Sequence, residues 1–142
     1  MSSNEFKKHY ASVLTNAKKN RVLNMILTIY TEAFFDSAHL IKNHPGKCAY
    51  LHGHTWKVSV WVKGDSALIN SNGILWDFGN LKEITDKLDH KNLNDIIEKP
   101  TAENIALLIY SECKSGNDRL DFKVRVYENV ISKTSYCETG DF

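Results

Sequence analysis

The chain has 142 residues, the size of a single domain, and its 42% hydrophobic and 25% charged content is ordinary for a soluble globular protein. The formal charge is only +1, so charge gives no reason to expect a nucleic acid or a membrane as the main partner. Three irregularly spaced cysteines do not make a disulfide framework, and no apolar run resembles a membrane span or an export signal. We therefore expect a cytoplasmic protein with free thiols.

The first 21 residues are polar and rich in lysine, and we treat them as an N-terminal extension of one folded domain at residues 22–142. Apolar residues recur in the extension at helical spacing, which predicts a short amphipathic helix. A partly disordered arm is the alternative. The apolar positions are Phe6, Tyr10, Val13, Leu14 and Ala17.

Two long strands are predicted next. Residues 22–39 alternate in character, and His39 ends the mostly apolar face. Residues 53–64 alternate in the same way, with His54 and Trp56 on the apolar face. Residues 65–73 are rich in turn-forming residues, and a short strand is predicted at 74–76.

Two helices and two closing strands complete the chain. Asp77 is the expected cap of the first helix, and Thr101 caps the second, which carries Glu103 in its first turn. Closing strands are predicted at 122–128 and 135–138. The order β-β-α-α-β-β predicts an α+β fold, a four-stranded antiparallel sheet with both helices on one face. Such a sheet has two open edges, which oligomerisation would cover.

Three histidines form the sharpest pattern. His52 and His54 point to the same side of one strand, because side chains alternate with a period of two. His39 lies at the inward end of the preceding strand. Three neutral imidazoles with an open fourth position are typical of a catalytic zinc, so we predict a metal site. The alternative is three histidines that are hydrogen-bonded or on the surface.

Cys48, four residues before His52, has three interpretations. It is a small buried residue, a fourth zinc ligand, or a catalytic thiol whose pKa is lowered by a nearby cation. Cys113 falls within the pattern of the second helix and is expected in the core, and Cys137 receives no role.

Two acidic residues are further candidates for the site. Glu128 continues an apolar strand face, so we expect it to point inward towards a partner or a ligand's N–H groups, with a frayed strand end as the alternative. Asp89 directly precedes His90 and would fix its tautomer, although the pair is also an ordinary loop and cap.

Taken together, these motifs resemble the 6-pyruvoyl-tetrahydropterin synthase superfamily over residues 22–138. The three residues between Cys48 and His52 are similar to the 6-carboxy-tetrahydropterin synthase branch, whereas the pyruvoyl branch has a longer insert and a folate branch carries glutamate in place of Cys48. The N-terminal extension and Asn129 depart from the pattern. The motifs are Phe35-Asp36-Ser37-Ala38-His39, Cys48, His52-Gly53-His54, Asp77-Phe78, Leu88-Asp89-His90, Leu93-Asn94, Pro100-Thr101, Glu103-Asn104, Val126 and Glu128.

The resemblance implies a tunnelling fold in which three subunits pair sheet edges and two rings stack into a homohexamer, with active sites at subunit interfaces. It implies a zinc lyase of queuosine biosynthesis. The reaction would convert 7,8-dihydroneopterin triphosphate into 6-carboxy-5,6,7,8-tetrahydropterin, acetaldehyde and triphosphate. The alternatives are the pyruvoyl-forming reaction and a non-catalytic pterin or metal binder on the same fold.

The resemblance also implies roles for individual residues. The three histidines would hold zinc, Cys48 would remove a side-chain proton, and His90, oriented by Asp89, would relay protons from a neighbouring subunit. Glu128 would bind the pterin's amino group and ring N–H, and Thr101 and Glu103 would add substrate contacts. Lys47 is only a candidate for holding the triphosphate.

Overall fold

A computed structural model describes residues 1–19 and 25–142. Residues 22–24 of the predicted first strand and the boundary between residues 21 and 22 lie outside the described residues. A helix in the N-terminal extension and a strand up to His39 are present as predicted. The elements are α1 (Ser3–Lys19), β1 (Ile26–His39), β2 (His52–Asp65), α2 (Gly79–Asp86), β3 (Lys91–Asn92), α3 (Ala102–Lys114), β4 (Asp121–Tyr127) and β5 (Tyr136–Gly140).

The strands form a mixed sheet in the order β3-β1-β2-β4-β5. β1 and β2 pair antiparallel along their whole length, from Ile26 opposite Asp65 to His39 opposite His52. The predicted α+β class is confirmed, but the predicted count of four strands is one too low for the described residues. The additional strand, β3, pairs parallel to β1 over two residues, which is too short to show an alternating pattern.

The predicted strand at residues 74–76 is wrong. Asn70 organises a turn there: its side-chain oxygen accepts from the N–H groups of Asn72 and Ile74 at 2.9 and 3.1 Å. An asparagine that bonds its own downstream backbone favours a turn over a strand. Trp76 is nevertheless buried, because its indole packs edge-on against Phe122 with ring centroids 5.5 Å apart.

One face of the sheet holds the core. α2 and α3 pack on this face, as predicted, and each large apolar side chain buried there stabilises the fold by roughly 1.5–3 kcal/mol. The opposite face carries aromatic and charged side chains, such as Trp61 and Arg125. The buried apolar sheet residues are Phe35, Trp56, Val58, Val60, Val62, Phe122, Val124 and Val126, and α3 contributes Ile105, Ala106, Ile109 and Cys113.

The ends of α1 and α3 follow from local hydrogen bonds. Ser2 and Glu5 form a capping box: Glu5 N–H donates to Ser2 Oγ at 3.2 Å, and Ser2 N–H donates to Glu5 Oε2 at 2.7 Å. Thr101 is the N-cap of α3, as predicted, since its Oγ1 accepts from Asn104 N–H at 3.3 Å. Among residues 1–19 and 25–142, no helix is both long enough and apolar enough to cross a bilayer.

Candidate metal centre and active site

The three predicted histidines meet at one end of the sheet. His39 and His52 are opposite each other in the β1–β2 pair, and His54 lies two residues further along the same face. Their ring centroids are 4.6 Å (His39 to His52), 4.8 Å (His52 to His54) and 5.1 Å (His39 to His54) apart. The register of an antiparallel pair therefore gathers histidines that are distant in sequence.

Backbone carbonyls fix two of these rings. His39 Nδ1 lies 2.6 Å from the carbonyl oxygen of Pro100, and His52 Nδ1 lies 2.7 Å from that of Tyr50. A carbonyl oxygen only accepts, so each Nδ1 carries the hydrogen and each neutral ring keeps a free lone pair on Nε2. Metal-binding histidines are typically held by this kind of second hydrogen bond.

Glu128 joins the histidines, a contact that was not predicted from the sequence. Its Oε1 lies 3.0 Å from His54 Nε2 and 3.3 Å from His39 Nε2, and its side chain is 35% exposed just beyond the end of β4. Both Nε2 atoms are buried and make no hydrogen bond of acceptable geometry within the described residues. The Nε2 lone pair of His39 and the carboxylate of Glu128 point at the same place, where two electron-rich groups repel each other. A cation between them, or a proton on an imidazole, is required to offset this repulsion.

The ligand set fits a metal ion such as zinc. One ligand atom from each of the four residues lies within 4.8 Å of the others, so small side-chain rotations suffice for a single ion to contact them. Burial lowers the pKa of His54, as do His39 and His52, while Glu128 partly opposes this shift. A lowered pKa favours the neutral imidazole, which is the form that binds metals.

A cavity of about 340 Å³ adjoins the cluster. Its volume is within the range of small-molecule sites. The structure thus brings five predicted site residues to one cavity, together with residues from the 40–51 loop and from β5. The lining residues are His39, Ile41, His44, Cys48, Thr101, Ala102, Glu103, Glu128, Ser135, Tyr136 and Cys137.

The three cysteines have different environments. Cys48 is partly buried on the short turn Lys47–Ala49 and lines the cavity. Cys137 lines it too, but burial and the nearby Glu103 and Glu138 raise the pKa of Cys137, which keeps this thiol protonated. Cys113 is in the core, as predicted, and burial raises its pKa to about 12.

Asp89 and His90 are not at this cavity within one chain. His90 is 80% exposed and lines a separate hollow of about 570 Å³ together with His54 and Lys91. Asp89 Oδ1 accepts from the N–H of Asp36 at 2.8 Å, and its Oδ2 lies 2.8 Å from His90 Nδ1. These two contacts lower the pKa of Asp89, the Asp36 N–H contributing most. The carboxylate therefore orients the imidazole, as the sequence pattern suggested.

His44 and Cys137 line the cavity but were not assigned to it from the sequence. His44 lies in an irregular loop, where no periodicity indicates the direction of a side chain. Cys137 alternates correctly within its strand, but alternation does not show which cavity a strand face borders. Only the folded structure shows that both residues line the cavity.

Comparisons with known proteins agree with this arrangement. Residues 28–139 match the family described as 6-pyruvoyl tetrahydropterin synthase. The chain is 44% identical over 111 residues to an Archaeoglobus fulgidus protein provisionally named 6-carboxy-5,6,7,8-tetrahydropterin synthase, which covers 74% of this chain and 89% of the relative. It is 34% identical over 117 residues to the 6-carboxy-5,6,7,8-tetrahydropterin synthase of Synechocystis sp., covering 76% and 91% respectively.

The chain is also similar to a protein named for a different reaction and to a solved structure. A dihydroneopterin monophosphate aldolase of Pyrococcus furiosus is 42% identical over 85 residues, which is 57% of this chain and 69% of that protein. The solved structure of Caenorhabditis elegans 6-pyruvoyl tetrahydropterin synthase matches with a TM-score of 0.65 and 25% identity over 84% of this chain and 99% of that one. The relatives share pterins in their names but differ in the reaction named.

Proposed function

This chain belongs to the 6-pyruvoyl tetrahydropterin synthase family, and we propose that it is the zinc-dependent lyase of the 6-carboxy-tetrahydropterin branch. The family assignment made from the motifs is thereby confirmed. The proposed reaction is 7,8-dihydroneopterin triphosphate plus water to 6-carboxy-5,6,7,8-tetrahydropterin, acetaldehyde and triphosphate, as a cytoplasmic step of queuosine biosynthesis. The observation that carries it is a three-histidine cluster that borders, through His39, the cavity that Cys48 also lines.

His39, His52 and His54 would hold the zinc ion through Nε2. When bound, zinc would act as a Lewis acid that lowers the pKa of the substrate's side-chain hydroxyls. In the neutral rings of His39 and His52, the Pro100 and Tyr50 carbonyls place the hydrogen on Nδ1, which leaves the Nε2 lone pair available and oriented for this role.

Cys48 would be the base. It lines the same cavity as His39, so a substrate that occupies this cavity would lie beside both residues. A thiolate there accepts a proton from the substrate side chain as the carbon skeleton rearranges. Cys137 is a poor substitute because its raised pKa keeps it protonated.

The acidic wall of the cavity would bind the pterin. Glu103 and Glu128 both line it, and neither forms an ion pair with a lysine or arginine among the described residues. A pterin presents an amino group and a ring N–H side by side, which a carboxylate accepts as a pair. Thr101, at the start of α3, lines the same wall. We assign Glu128 to the pterin and not to the zinc ion. The three histidines alone leave zinc an open position for the substrate, whereas a fourth protein ligand would occupy it.

The proton relay through His90 would come from a neighbouring subunit. The hollow that contains His90 includes residues of the edge strand β3, whereas the cavity includes Tyr136 and Cys137 of the opposite edge strand, β5. Copies that pair these opposite edges would bring one copy's hollow to the next copy's cavity. We therefore propose trimeric rings that stack into a homohexamer, with each active site at a subunit interface.

A second candidate function is aldol cleavage of dihydroneopterin monophosphate. The Pyrococcus furiosus relative favours it through 42% identity. Cys48 argues against it, since the folate branch is expected to carry glutamate at this position. A pyruvoyl-forming synthase would differ from the proposed enzyme in its product, and a non-catalytic pterin binder would form no product at all.

Product identification tests the proposal. The zinc-loaded full chain is incubated with 7,8-dihydroneopterin triphosphate, and the pterins are resolved by mass spectrometry, with Cys48→Ala as the control. We expect 6-carboxy-tetrahydropterin from the unmodified chain and none from the variant. A 6-pyruvoyl product, or unchanged substrate, would contradict the assignment.

A further inference from the structure

His90 has an unusual backbone conformation. Its φ is 54°, in the left-handed region that residues other than glycine adopt at an energetic cost. A residue stays in such a conformation only where the surrounding contacts fix it, and residues of this kind cluster at functional sites. His90 is also the proposed proton relay, and it lines the hollow of about 570 Å³. The contacts that hold its backbone are therefore candidates for a functional role.

The main chain of β1 supplies two of these contacts. His90 N–H donates to the carbonyl oxygen of Asp36 at 2.7 Å, and Asp36 N–H donates to Asp89 Oδ1 at 2.8 Å. Both bonds use main-chain groups of Asp36, so they do not depend on the side chain at this position. They fix the Asp89–His90 pair to one point of the strand.

The side chain of Ser37 supplies two more contacts. Its Oγ donates to the carbonyl oxygen of Leu88 and accepts from Lys91 N–H at 3.4 Å. These partners are the two ends of the segment 88–91, which we call the His90 turn, so one hydroxyl holds both ends of the turn against β1. Ser37 is only 6% exposed, so water has little access to replace its hydroxyl.

We propose that Ser37 is a positioning residue that holds the His90 turn in its strained conformation for proton transfer. The inference rests on the proposed function, because it assumes that the imidazole of His90 acts in a neighbouring subunit's cavity. When the hydroxyl is absent, Leu88 C=O and Lys91 N–H lose a shared partner, and His90 can relax towards the commoner negative φ. The imidazole then leaves the position in which it meets the neighbouring cavity.

Hydrogen exchange tests this clamp without requiring turnover. Mass spectrometry compares exchange in peptides that span the His90 turn between the zinc-loaded full chain and Ser37→Ala. The variant should exchange these amides about tenfold faster, because the turn has lost two hydrogen bonds, while peptides from β2 and β4 stay unchanged. Ser59→Ala is the matched control: Ser59 is also a buried serine of the sheet, with its Oγ 2.9 Å from Tyr30 Oη, and its loss should leave the turn unchanged. Unchanged exchange at the turn in Ser37→Ala, or equally faster exchange throughout the sheet, would overturn the clamp.

A local effect on the metal site is the alternative, since Ser37 lies two residues before His39. Steady-state kinetics and zinc analysis separate the two explanations. A misplaced His90 turn should lower kcat about tenfold, while KM stays within about twofold and the zinc content is unchanged. Loss of zinc, or an unchanged kcat, would overturn the positioning role.

Mixed oligomers show on which side of the shared site Ser37 acts. In the proposed assembly, one active site takes His90 from one copy and Cys48 from the other. Co-expressed Ser37→Ala and Cys48→Ala subunits should therefore exceed the activity of either variant alone, because some interfaces combine an intact His90 turn with an intact Cys48. Co-expressed Ser37→Ala and His90→Ala subunits should show no such gain, because every His90 turn is defective.

A defect in the metal site of the same copy would give the reverse pattern, with recovery beside His90→Ala and none beside Cys48→Ala, and would overturn the proposal. Faster exchange at the His90 turn of Ser37→Ala, in a chain that makes no 6-carboxy product, would support the clamp and refute the proposed function.

Discussion

Removal of zinc should destabilise the protein by a predictable amount. The cluster brings His39, His52 and His54 together with a carboxylate, a convergence of lone pairs that is unfavourable without a cation. When the free zinc concentration is 1,000 times its dissociation constant, binding stabilises the folded state by about 4.1 kcal/mol. For a chain of this length, 1 kcal/mol corresponds to about 3–4 °C in Tm. Zinc should therefore raise Tm by about 12–16 °C over the chelated protein.

Differential scanning calorimetry at fixed protein concentration measures this shift, since assembly also contributes to Tm. His52→Ala removes one ligand while His39 stays hydrogen-bonded to Pro100, so the variant should bind less than one zinc per subunit and show less than about half of the shift. His9→Ala, far from the cluster in sequence, should match the unmodified chain. A full shift and full zinc content in His52→Ala, or no shift in the unmodified chain, would refute the three-histidine site.

Four further outcomes follow from the site and the fold. Cys48→Ala should keep its zinc and lose turnover; metal loss instead would make Cys48 a ligand. Glu128→Gln should keep zinc and weaken pterin binding by roughly 1.5–3 kcal/mol, the scale of a charged hydrogen bond, and unchanged affinity by titration would remove Glu128 from the pterin site. Co-expressed Cys48→Ala and His90→Ala subunits should recover part of the activity that each homo-oligomer lacks; purified mixed oligomers with no turnover would exclude a shared site. Asp141 is partly buried, which raises its pKa, but hydrogen bonds from Tyr110, the Phe122 N–H and Lys114 lower it overall. The stabilisation is present above the unfolded pKa and is lost as pH falls, so Asp141→Asn should cost about 1–2 kcal/mol at pH 7 and progressively less below about pH 4; a pH-independent difference in urea unfolding would argue against this charge effect.

The alternation of side chains along strands and the capping residues of helices allowed much of the fold to be predicted from the sequence. β1 and β2 each repeat with a period of two for 14 residues, long enough to place His39 and His54 on the core-facing side. Thr101 marks the start of α3 because a threonine oxygen satisfies a free N–H there. These local rules depend only on neighbouring residues.

Features that depend on contacts between residues distant in sequence could not be predicted from such local patterns. β3 is only two residues long, so its side chains show no repeating pattern. Glu128 follows the last residue of β4, and only the pairing of that strand end with β2 brings it within 3.3 Å of His39 and His54. His44 lies in a loop whose direction is set by the Gly46 hydrogen bond.

The central claim is that this enzyme cleaves a carbon–carbon bond of the triphosphate substrate at the zinc site. Simultaneous quantification of acetaldehyde and inorganic triphosphate from one reaction of the zinc-loaded enzyme tests it most directly. We predict equal amounts of both, formed together and lost together in Cys48→Ala. Triphosphate without acetaldehyde would indicate the pyruvoyl-forming elimination, a phosphorylated two-carbon aldehyde would indicate an aldolase, and either result would contradict the assignment.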